Sequence, residues 1–119
     1  MTSSLESALV LGIDIGTSGV RAVLMNSKFD VVAQQSSLMS DFGSNHRNPA
    51  VWWKSVESTL AQLRIESNDQ WNQVAGISVD GTSGTMLALN NKQEPIGDAL
   101  MYNDPVEDPD ILEQIRQYA

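Results

Sequence analysis

The chain has no cysteine. That excludes a disulfide framework and any thiolate metal site, and it fits a cytoplasmic protein. Basic residues are scarce: seven Lys and Arg stand against fifteen Asp and Glu, for a net charge of -8. Binding a phosphate backbone needs clustered cations, so nucleic acid is not an expected partner. No apolar run approaches the roughly 18 residues of a membrane-spanning helix, so no membrane partner is expected either. The opening Met-Thr-Ser-Ser-Leu-Glu lacks a basic n-region. No secretory leader is expected from it, and residues 1–8 read as a flexible lead. There is one histidine. With no Cys and no second His beside it, His46 reads as a solvated loop residue rather than a metal ligand. Neither Gly-x-x-x-x-Gly-Lys-Ser/Thr nor Gly-x-Gly-x-x-Gly occurs, so the P-loop and dinucleotide-fold readings lack their required parts.

What is present is enough for one small globular unit. Apolar residues make up 41% of 119 positions, an ordinary proportion for a packed core. The centre of the pattern is residues 9–25. Two apolar runs, 9–15 and 20–25, read as strands joined by Gly16-Thr17-Ser18-Gly19, a tight hairpin turn. Asp14 stands inside the first run, which reads as a buried strand. An ionised carboxylate there needs a partner or a chemical role. A small-residue turn rich in main-chain N–H groups suits a phosphate, with a metal ion near the acid. The same residues also make an ordinary turn whose hydroxyls cap their own backbone.

Further strands are expected over 31–37, 74–79 and 86–89. Asn48-Pro49 marks a helix start, with Asn at the cap and Pro in the first turn. Val51, Trp52, Val56, Leu60 and Leu63 carry an amphipathic helix from 49 to about 65. At least one of Trp52 and Trp53 is expected in the core, and the other can edge a cleft. Polar segments at 40–49 and 66–72 read as loops, and 80–85 as a turn. A last helix follows Pro109, with Ile111, Leu112 and Ile115 on one face. Gly-Thr-Ser-Gly occurs twice, at 16–19 and 81–84, with unlike flanks. Two similar turns meeting one cleft would explain the echo, as would chance.

Gly12-Ile-Asp-Ile-Gly-Thr-Ser18 resembles the first phosphate motif of the actin, Hsp70 and sugar-kinase superfamily. Asn48-Pro-Ala-Val-Trp-Trp53, Val74-Ala-Gly-Ile-Ser-Val79 and Glu94-Pro-Ile-Gly-Asp-Ala-Leu-Met-Tyr-Asn-Asp104 are similar, in order and spacing, to segments of the FGGY carbohydrate kinases. In that family the last segment ends in Trp-x-Asp-x-Arg; here Tyr102 replaces the Trp and Val106 the Arg. Asp80-Gly-Thr-Ser83 stands where bacterial xylulokinases carry Gln-Met-His-Gly. With Tyr102-Asn103 it looks like the D-ribulose/D-xylulose kinase-like subgroup.

The resemblance implies an α/β fold: a partial ribonuclease H-like half-domain with a mixed sheet, an antiparallel hairpin meander and a crossover helix. Residues 9–119 would be an incomplete N-terminal portion of kinase domain I. The implied activity is phosphoryl transfer from ATP, with Mg, to a hydroxyl of a ketopentose. The resemblance places Asp14 toward the metal and Gly16, Thr17 and Ser18 toward the phosphate. Asp80, Gly81, Thr82, Ser83 and Asp104 would face the sugar. The proton-accepting Asp is expected beyond residue 119. The chain alone is therefore expected to be inactive and to expose apolar surface prone to self-association. The alternatives are another polyol kinase, such as a glycerol kinase, or a sugar- or nucleotide-binding module without catalysis.

Overall fold

The computed structural model describes residues 7–119; most of the lead over 1–8 lies outside them. Strands β1 (Leu9–Ile15), β2 (Gly19–Met25), β3 (Val31–Leu38) and β4 (Val74–Gly81) form one sheet in the order β3-β2-β1-β4. β1 pairs antiparallel with β2, and β2 with β3. β4 joins parallel to β1 after a crossover through helix α1 (Pro49–Ser67). Helix α2 (Pro109–Tyr118) closes the chain.

Local chemistry sets the ends of α1. The Asn48 side chain accepts from the Ala50 N–H at 3.0 Å, and Pro49 follows it in the first turn. At the other end Asn68 takes φ +50°, and its N–H bonds to the Arg64 carbonyl. Residues Val51, Ser55, Thr59, Leu63 and Ser67 are buried at a spacing of four, a single stripe along the helix. The helix packs on β2 and β3, and its Val51, Val56 and Leu63 join Leu9, Leu11, Ile13, Val20, Ala22, Leu24 and Met39 in the core.

Among the described residues only this one face of the sheet is packed, and that corrects the reading of β1 as a buried strand. Its residues alternate: Leu9, Leu11 and Ile13 point into the core, whereas Val10 and Asp14 are exposed. The period-2 pleat places Asp14 on the open face, so its charge carries no burial penalty there. β4 lies beyond the reach of α1, and its Ile77 and Val79 are 66% and 62% exposed.

Other expectations are adjusted in the same way. β4 runs through Gly81, so Asp80 and Gly81 belong to the strand and not to the following turn. The strand expected over 86–89 does not form. That segment makes two isolated bridges, Met86 to Leu100 and Leu89 to Pro95; Pro95 has no N–H to extend a ladder. The segments read as loops at 40–49 and 66–72 are each overlapped by a short 3-10 turn, Met39–Asp41 and Asn68–Gln73. Trp53 is 62% exposed, while Trp52 packs partly against the core.

The expected apolar face of α2 exists but has no partner among the described residues: the helix has no buried residue, and Ile111, Leu112 and Ile115 are exposed. The radius of gyration is 18.9 Å, against about 13.5 Å for a compact domain of this length. The excess reflects elements that extend away from the single packed layer.

Candidate functional site

The site is built where the C-terminal ends of β1 and β4 meet. The turn leaving β1 is closed by Gly16 N–H to the Gly19 carbonyl at 2.9 Å, and Met39 N–H holds the Ser18 carbonyl at 2.9 Å. Gly19 is required for this approach. A Cβ there would lie 2.6 Å from the Ser37 carbonyl oxygen, so β2 and β3 could not keep their spacing.

A cavity of about 210 Å³ opens beside this turn. Ile15, Gly16 and Thr17 line it from β1 and its turn, and Gly81, Thr82 and Thr85 from the end of β4 and beyond. Both copies of the Gly-Thr-Ser-Gly echo thus reach one cleft. His46, Trp52 and Met101 complete the wall. The Thr82 and Thr85 hydroxyls lie 2.7 Å apart in a hydrogen bond, and Thr85 Oγ1 lies 3.7 Å from Met101 Sδ. The wall is mainly apolar, with the threonine hydroxyls as its polar points, and its volume lies below the roughly 300–1,000 Å³ of drug-sized pockets, which leaves room for a small molecule only.

The open face of the sheet carries the acids. Asp14 and Asp80 are register partners on neighbouring strands, and Arg21 lies opposite Asp14 on β2. All three line one shallow cleft with Ser78. A larger cleft, about 640 Å³, runs from Asp14 over Gly16, Thr17 and Ser18 to Ser36 and Ser37. Gly16 and Thr17 line both this cleft and the smaller cavity, and so form the partition between them. Among the described residues no cluster of three or more His, Cys, Asp or Glu gathers around one point. Asp14, which borders the larger cleft, and Asp80 beside it are the residues that could hold Mg, which keeps several waters and takes only one or two carboxylates beside substrate phosphates.

The residues named from the sequence are therefore distributed over several surfaces. Gly16, Thr17, Gly81 and Thr82 share the smaller cavity. Asp14 and Asp80 sit together on the other side of the partition, and Ser18 lines the larger cleft. Ser83 is exposed in the turn after β4.

Asp104 is engaged by a residue that sequence reasoning did not single out. Arg47 Nε donates to Asp104 Oδ2 at 3.1 Å and Arg47 Nη2 to Asp104 Oδ1. The Met101 N–H donates to Asp104 Oδ2 at 2.8 Å. The Arg47 guanidinium, with the Met101 N–H behind it, lowers the Asp104 pKa from 3.8 to about 2. Asp104 in turn raises that of Arg47. The pair spans 57 positions, beyond any local sequence signal. His46 is exposed, as expected, but it also lines the cavity.

This architecture has known counterparts. The model of the FGGY family of carbohydrate kinases, N-terminal domain, matches residues 9–117. The chain belongs to the FGGY family of carbohydrate kinases. It is 31% identical to a xylulose kinase of Lactococcus lactis over 99 residues, covering 80% of this chain and 20% of that protein. It is 28% identical to a xylulose kinase of Bacillus subtilis, covering 92% of this chain and 23% of that protein. The solved xylulose kinase of Rhodospirillum rubrum superposes with a TM-score of 0.78 at 25% identity, over 93% of this chain and 23% of that one. A gluconate kinase from Lactobacillus acidophilus shares the fold, with a TM-score of 0.68 at 18% identity. The chain spans about a fifth of the length of the curated relatives it matches.

Proposed function

We propose that these residues form the phosphate- and sugar-facing wall of an ATP-dependent pentulose kinase. The observation that carries the reading is the partition. Gly16 and Thr17 have on one side a small, mainly apolar cavity that carries the threonines Thr82 and Thr85, and on the other a cleft bordered by Asp14. A phosphoryl group passing between nucleotide and sugar needs such a junction, because catalysis of this transfer is mostly positioning and charge stabilisation.

In this reading the sugar lies against Thr82 and Thr85, whose hydroxyls both donate and accept as a polyol requires. Main-chain N–H groups of Thr17 and Ser18 orient the transferred phosphate, the Gly16 N–H being held by the Gly19 carbonyl. Asp14, with Asp80 beside it, would hold Mg, which when bound neutralises charge on the phosphates. The proton acceptor and the adenosine pocket are assigned to the remainder of the relatives' length. The chain by itself is then expected to release no ADP.

The acceptor is proposed to be D-ribulose or D-xylulose. The xylulose kinase relatives support a pentulose, and Asp80-Gly-Thr-Ser83 in place of Gln-Met-His-Gly favours D-ribulose. The test is ADP release by the longest natural polypeptide that carries this domain, with Mg–ATP and a panel of D-ribulose, D-xylulose, glycerol and gluconate. Turnover that depends on a pentulose is expected. Turnover with glycerol or gluconate alone, or none with any acceptor, would overturn the assignment.

A further inference from the structure

We propose that Arg47 is a positioning residue for the acceptor sugar: by holding Asp104 it fixes the Met101 wall of the cavity. The inference rests on the kinase reading above. The outer wall is made by two segments outside the sheet, residues 42–48 and 98–104, and each must be held by side chains or isolated main-chain bonds. The Ala99 N–H reaches the Arg47 carbonyl at 2.8 Å, and Asn45 Nδ2 reaches Asp98 Oδ2 at 2.8 Å. Between them sits the two-pronged Arg47–Asp104 pair.

The Asp104 carboxylate accepts two donors from Arg47 and a third from the Met101 N–H, while the Asp104 N–H returns to the Met101 carbonyl at 3.0 Å. Ala99 and Met101 are 1% and 7% exposed although neither lies in a strand or helix. From Met101 the linkage continues through Sδ to Thr85 and from Thr85 to Thr82, the hydroxyls that face the cavity. On the other side, His46 immediately precedes Arg47 and lines the same cavity, and its carbonyl takes the Trp52 Nε1–H at 2.6 Å. The ion pair therefore joins both halves of the sugar-side wall. Among the described residues no hydrogen bond or ion pair joins it to the Gly16–Ser18 turn.

Removing the guanidinium leaves Asp104 with the Met101 N–H alone, and the two segments are then joined only at their far ends, by the Ala99 N–H to the residue-47 carbonyl and by Asn45 to Asp98. Small misplacements of a positioning wall cost up to about a hundredfold in rate. The expected signature is selective. In the longest natural polypeptide, Arg47→Ala raises KM for the pentulose about tenfold and leaves KM for ATP within about twofold. Arg47→Lys keeps the charge but loses the fork, so it gives an intermediate rise. It also serves as the decisive variant if Arg47→Ala does not fold. Unchanged pentulose KM in Arg47→Lys together with Arg47→Ala, or equal rises for ATP and sugar, would refute the positioning role. A wild-type protein without pentulose turnover overturns the kinase reading itself, a separate result visible before any variant is made.

Discussion

Two buried hydroxyls on α1 predict opposite outcomes. Ser55 and Thr59 both lie on the packed stripe at 0% exposure. The Thr59 hydroxyl is hydrogen-bonded to the Ser55 carbonyl at 2.7 Å and to Ser37 Oγ at 2.8 Å. Ser55 Oγ finds no partner among the described residues. A buried, unpaired hydroxyl costs about 1–3 kcal/mol. Replacing Ser by Ala in a helix interior adds about 0.5 kcal/mol of propensity, and the small void left by one oxygen subtracts a few tenths. Ser55→Ala is therefore expected to stabilise the chain by about 1–2 kcal/mol. Thr59→Val strips two hydrogen bonds and orphans Ser37, so a loss of about 1–2 kcal/mol is expected. Urea unfolding followed by far-UV circular dichroism measures both. With m at about 1–3 kcal/mol/M, Ser55→Ala should raise the midpoint by roughly 0.3–2 M at unchanged m. A lowered midpoint for Ser55→Ala would refute the argument, because it would mean that the Ser55 hydroxyl is satisfied in solution.

Further outcomes follow from the same packing and geometry. Leu63→Ala removes a fully buried side chain at the centre of the helix–sheet contact and should cost about 2–5 kcal/mol in the same assay. Gly19→Ala drives a methyl against the Ser37 carbonyl, where a Cβ would stand at 2.6 Å. It should cost about 1–3 kcal/mol, and the displaced turn should lower pentulose turnover in the longest natural polypeptide. In that polypeptide Asp14→Asn should lower kcat by about a hundredfold or more, with Tm unchanged, since the exposed carboxylate acts on charge and not on packing.

The Arg47–Asp104 pair should survive well into acid. Its carboxyl titrates near 2 instead of 3.8. A lowered folded-state pKa contributes stability above the unfolded value, and that stability is lost as pH falls from about 4 towards 2. The Met101 amide shift, followed by NMR against pH, should turn over near 2; a midpoint at or above 3.8 would contradict the pairing.

Much of the fold was legible because it rests on local chemistry. Asn48-Pro49 announced the helix start, and the structure shows the Asn48 cap and Pro49 in place. The hairpin turn at 16–19 and the crossover to β4 also followed from patterns within a few residues. The exposure of Asp14 was harder to read, because Leu9–Ile15 is apolar on both faces and hides its alternation. Which face is covered depends on where α1 lands, and α1 stops short of β4. Residues 86–89 look like a strand by composition, yet no neighbouring strand continues their pairing past two bridges. The lining of the candidate cavity was legible where it follows strand ends, at Gly16, Thr17, Gly81 and Thr82. It was illegible where distant loops meet: Arg47 reaches Asp104 and Met101 reaches Thr85 only after the chain has folded back.

The most direct test of the central claim is mass spectrometry of the product made from D-ribulose, Mg and ATP by the longest natural polypeptide carrying this domain. The account predicts a pentulose monophosphate formed mole for mole with ADP, and its loss in Asp14→Asn. ADP without sugar phosphate, or no product with either D-ribulose or D-xylulose, would contradict it.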